Sequence, residues 1–128
     1  MATFVRSGLA YSISGGYIGY DFGWIPKGTI HYVTAGMPIN LDSGTAIQGL
    51  CELSCEIQVG SIIKNGVFKY YVPGTSGPVI GGRVFFNTEE MMMDVDGGKG
   101  IFQVYTSMFF LLGSTTKYPL QATVVMGE

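Results

Sequence analysis

From Ile47 to Val59 the chain alternates: Ile47, Gly49, Cys51, Leu53, Cys55, Ile57 and Val59 occupy every second place, with Gln48, Leu50, Glu52, Ser54, Glu56 and Gln58 between them. A helix would scatter the first set around its axis, whereas a strand turns all of it to one face. Leu50 alone breaks the polar set. The segment is predicted to be a strand with one face on a core, bent or bulged at Gly49.

Shorter strands are predicted at Ile30–Val33, Gly66–Val72, Arg83–Asn87, Met91–Val95, Gly100–Thr106, Met108–Leu112 and Ala122–Met126. Turn chemistry separates them. Asn65-Gly66 favours a primed hairpin turn, residues 73–78 carry Pro and Gly at both ends, and Asp96-Gly97-Gly98 supplies positive-φ positions. Gly or Pro interrupts nearly every window of helical length. At 128 residues the chain is one domain's worth, and the pattern predicts an all-β fold, a small β-barrel or β-sandwich.

The first 25 residues read differently. Gly8, Gly15, Gly16, Gly19 and Gly23 alternate with Tyr11, Tyr17, Tyr20, Phe22 and Trp24. A flexible backbone carrying large contact surfaces suits an N-terminal arm, residues 1–25, that orders on contact, with the barrel body at 26–128. The alternative, that these aromatics close one end of the barrel, stays open.

Charged residues make up 12% of the chain, about half the usual share of roughly 25%. With so little charge, apolar surface is expected to be covered by a partner or by a second copy. The seven basic residues are scattered, so no phosphate-binding row forms and nucleic acid is not an expected partner. The longest apolar run, Met108–Leu112, falls far short of the roughly 20 residues of a membrane-spanning helix, and no secretion signal is read at the start. Neither a membrane nor export is expected.

No catalytic constellation is legible, and the chain is not read as an enzyme. His31 is the single histidine and is read as structural. Gly97-Gly98-Lys99-Gly100 lacks the spacing of a phosphate loop. On one strand, Cys51 and Cys55 would stand about 13 Å apart at about 3.3 Å per residue, too far for a disulfide, and are read as core thiols. Glu89-Glu90 with Asp94 and Asp96 could hold a divalent cation or act as acid and base, but solvated turns explain them as well. Met91, Met92 and Met93 suit an irregular core or a subunit contact. No cofactor or metal is expected.

The order of motifs resembles the small capsid decoration proteins of tailed phages, the cement proteins on the outside of the mature head. The chain opens with Met1-Ala2-Thr3-Phe4-Val5-Arg6-Ser7-Gly8 and Tyr11-Ser12-Ile13, continues through Ser61–Phe68 and Gly81-Gly82-Arg83-Val84-Phe85-Phe86-Asn87, and closes with Gly100–Val104 and Ala122–Met126. The stretch Tyr17–Ile25 and the loop 73–78 depart from that pattern. The resemblance implies a virion protein without enzymatic activity, made in the host cytoplasm and bound to the outer surface of the capsid. Its implied partners are the major capsid protein and its own copies, as a homotrimer. The arm's Phe4, Val5, Tyr11, Tyr17, Tyr20 and Trp24 would then form the capsid or subunit interface. Alternatives are a tail or head-fibre β-domain, a carbohydrate-binding β-barrel whose tyrosines and Trp24 stack on sugars, and, last, a metal-dependent hydrolase using Glu90, Asp94 and Asp96.

Overall fold

The structure is a computed structural model that describes residues 3–14, 17–37, 39–40, 49–72, 79–105, 110–111 and 121–127. Its strands in chain order are β1 (Thr3–Ser14), β2 (Tyr17–Ile25), β3 (Gly28–Met37), β4 (Ile39–Asn40), β5 (Gly49–Val59), β6 (Ile62–Val72), β7 (Val79–Phe86), β8 (Glu89–Glu90), β9 (Met93–Val95), β10 (Gly98–Tyr105), β11 (Phe110–Leu111) and β12 (Gln121–Gly127). The fold is all-β, as the alternation and the turns predict.

Ten of these strands form one antiparallel sheet in the order β8-β7-β6-β5-β10-β2-β1-β12-β3-β9, and an added β3–β7 pairing bends it into a nearly closed barrel. The closing register is Thr34↔Arg83, Ala35↔Gly82 and Met37↔Val79. Toward the other end β3 and β7 part, and residues 89–95 fill the split. There β8 pairs with β7 through Phe85↔Glu90, and β9 pairs with β3 through Ile30↔Met93. Met91 N–H donates to the Val84 carbonyl at 3.0 Å, and Met91 and Met93 turn into the core while Met92 is exposed. Unbranched thioethers fill this irregular seam, which a β-branched side chain would fit less readily.

A ring of eight strands is just wide enough for side chains to fill it. Tyr20, Phe102, Phe68 and Tyr70 form a chain of ring contacts with centroids 5.5–5.9 Å apart, surrounded by Ile18, Ile25, Val33, Ile57, Val84 and Val124. Gly82 lies against Phe68, where an added Cβ would approach the ring to 2.1 Å. Burying a hydroxyl is costly without a partner, and the Tyr20 hydroxyl donates to the Gly36 carbonyl. Burial holds the Tyr20 phenol well above its ordinary value.

Three sequence expectations are corrected. Residues 17–25, assigned to the arm, are a strand of the ring: β2 pairs with β10 from Tyr17↔Tyr105 to Ile25↔Gly98, with Ile18, Tyr20, Phe22 and Ile25 buried. The backbone of β1 joins β2 to β12. Tyr20 and Phe22 fill the barrel from one face of β2, whereas Tyr17 and Trp24 stand on its outer face, a division the sequence does not distinguish from a loose arm. Asn65-Gly66 is not a turn. The β5–β6 hairpin runs on to Gly60-Ser61, with Gly60 at φ 61°, and Gly66 stands mid-strand opposite Cys55. A Cβ at Gly66 would meet the Phe85 carbonyl oxygen at 2.8 Å, so close backbone approach selects the glycine there. Gly49 carries no bulge; it starts β5 in register with Val72. The expected positive φ at Gly97 and Gly98 is present.

Candidate functional site

The alternation of β5 sends Leu53, Cys55, Ile57 and Val59 inward and leaves Glu52, Ser54, Glu56 and Gln58 on the outside. Register then brings partners from three neighbouring strands. Glu56 stands opposite Gln103 of β10 and opposite Asn65 of β6, and Gln103 stands opposite Gly19 of β2. One step along the strands, Tyr105 faces Tyr17, their ring centroids 4.9 Å apart and tilted by 57°. Together with Ser54 these side chains line an open groove of about 380 Å³ on the outer face, with Cys55 beneath it.

The groove has a distinct chemistry. Adjacent strands lie about 4.8 Å apart, so the row Gln103, Glu56, Asn65 spans about 10 Å. Among the described residues none of the three makes a side-chain hydrogen bond or ion pair, and neither does Ser54. A carboxylate, two carboxamides and a hydroxyl therefore keep their full donor and acceptor capacity beside an exposed aromatic pair. Tyr17 is 47% exposed and Tyr105 is 40% exposed. At the floor, burial pushes the Cys55 thiol up to about 12, against a smaller lowering by the Gly66 backbone, so it is a neutral thiol and a poor nucleophile at neutral pH.

The residues predicted for an interface are dispersed. Tyr20 is buried in the core and presents nothing to a partner. Trp24, at 67% exposure, stands opposite Lys99 on the outer face, away from the groove, and Tyr17 lies within it. Phe4, Val5 and Tyr11 belong to β1, and their side chains lie outside the described residues. The acidic cluster is divided among structural partners: Glu90 accepts from Arg83 at 2.8 Å, and Asp94 accepts from the Thr29 hydroxyl at 2.6 Å. His31 is a half-buried strand residue, and Cys55 is a buried free thiol. Cys51's side chain and residues 73–78 lie outside the described residues.

Tyr105, Gln103, Glu56, Asn65 and Ser54 were not singled out from sequence. Ser54 and Glu56 were legible as outward residues of the alternating strand, but their meeting with β10 and β6 is a matter of register. Comparison with family models, with curated proteins and with solved structures finds no match to this chain.

Proposed function

We propose that the protein is a structural virion component, a capsid decoration protein that binds the outer surface of a phage head and stabilises it. The observation that carries this reading is the apolar exposure of a charge-poor body: Trp24, Met92, Ile63, Tyr17 and Tyr105 all stand out from the barrel. The aromatics among them contribute contact area with few torsions to freeze, and many copies on a lattice add through multivalency. Trp24 is the principal capsid contact in this reading, and neighbouring copies associate as trimers.

The ring also changes how the contact works. With β2 built into the barrel, a rigid outer face docks, in place of an arm that orders on arrival, and the ordering penalty is correspondingly smaller. Quantitative mass spectrometry of purified particles from the source tests the proposal. A ratio to the most abundant shell protein of the order of one to one is expected, and Trp24→Ala should lower occupancy. A handful of copies per particle points instead to a tail or fibre component, and absence from particles overturns the reading.

A further inference from the structure

Without requiring the capsid reading, whose principal contact is Trp24 and with which it shares the exposed Tyr17 and Tyr105, we infer that the outer groove on β2, β10, β5 and β6 is a binding site for an uncharged carbohydrate. Three observations converge on that chemistry. The first is the exposed Tyr17–Tyr105 pair, whose tilted rings offer an apolar platform of the kind on which the C–H face of a pyranose stacks.

The second is the row of Gln103, Glu56 and Asn65 along one edge of that platform, with Ser54 beside it. A sugar presents adjacent hydroxyls that both donate and accept. A carboxylate accepts from two hydroxyls at once, and carboxamides on either side donate to one oxygen and accept from another. Evenly spaced across three strands, the row matches a ligand with hydroxyls distributed along its length better than one with a single polar head.

The third is charge. Among the described residues Glu56 is the one ionic side chain of the lining, and no cation pairs with it. Phosphates, nucleotides and acidic sugars would meet an uncompensated carboxylate, and like charges brought together are unfavourable. The volume of about 380 Å³ is at the small end of ligand sites, and the groove is open, which suits one or two sugar units of a longer chain. The strands fix the spacing at which these polar side chains leave the sheet, so only their rotamers remain to be ordered by the ligand.

The purified full-length protein is screened against a glycan microarray, and the best-bound neutral oligosaccharide is titrated into 15N-labelled protein. Saturable shifts are expected at Tyr17, Ser54, Glu56, Asn65, Gln103 and Tyr105. Tyr105→Ala and Glu56→Gln should each weaken binding about tenfold. Glu56→Gln keeps the shape of the side chain, so it reports on recognition even if Tyr105→Ala disturbs the sheet. Choline chloride serves as the competing probe, because two aromatics beside a carboxylate could also hold a quaternary ammonium. Binding of choline without binding of any oligosaccharide, saturable shifts elsewhere on the barrel, or no bound glycan overturns the inference. None of these outcomes bears on capsid occupancy, which is measured on particles.

Discussion

Glu52 and Glu56 lie four residues apart on the outer face of the same strand, and their surroundings differ. Glu52 stands opposite Lys69, 3.6 Å from its ammonium, and that lysine also lies over the Phe85 ring. Next to it Arg83 pairs with Glu90 and covers Tyr32. On this side of the barrel, cations cover aromatics and carboxylates answer cations, which is how a chain with few charges keeps large rings from bare contact with water. Glu56 stands opposite Asn65, and among the described residues no cation covers Tyr17 or Tyr105. The backbone scaffold is the same, so the difference lies in the side chains: one side satisfies itself and the other leaves its hydrogen-bonding groups for a ligand.

Both sides rest on the same ring, and removing part of it erases the comparison altogether. Deleting residues 1–25 takes away β1 and β2, and with them Ile18, Tyr20, Phe22 and Ile25 from the core. At about 1.5–3 kcal/mol per large apolar side chain, four such losses approach the whole stability of a small domain. The truncated chain is expected to show no cooperative unfolding by circular dichroism. A folded truncated barrel would restore the arm reading and remove Tyr17 from the groove.

The arm is also where the sequence was hardest to read. Glycine next to aromatic residues in Tyr17–Trp24 is compatible with a loose segment or with a strand that carries aromatics on both faces, and only pairing with β10 decides between them. The segment Glu52–Val59 was legible because burial on one side leaves a period of two in the sequence. Asn65-Gly66 is ambiguous in sequence because the same dipeptide serves hairpin turns and close backbone approach, and here it serves the second. The groove was illegible for a different reason: Gln103, Glu56 and Asn65 are up to 47 positions apart, and no local pattern encodes which strands become neighbours.

A smaller effect sharpens the comparison at its floor. The folded protein holds the Cys55 proton up to about 12, whereas an exposed thiol loses it near 9.0. The contribution of this group to stability is therefore complete below pH 9 and is lost as the pH rises toward 12, by up to about 1.4 kcal/mol per unit. Tyr20, also held protonated by burial, adds a loss in the same direction that starts above its ordinary value of 10.0. Denaturant midpoints between pH 9 and 10 should fall for the wild type and stay flatter for Cys55→Ala. Equal slopes would mean that water reaches the thiol and that the groove is deeper than its described walls.

The smallest effects separate the two faces directly. Arg83→Ala breaks an exposed ion pair and uncovers Tyr32, a loss of about 0.5–1 kcal/mol that should shrink as salt is added. Glu56→Gln breaks no contact among the described residues, so its denaturation midpoint should stay within about 0.5 kcal/mol of the wild type at any salt concentration. What separates the variants is the pairing of their charges, since both side chains lie on the outside of the same sheet. A stability loss on Glu56→Gln as large as that of Arg83→Ala would place a hidden partner at Glu56 and make the groove another self-satisfied surface. A neutral Glu56→Gln that still weakens oligosaccharide binding would mean that the carboxylate serves recognition and contributes nothing to the fold.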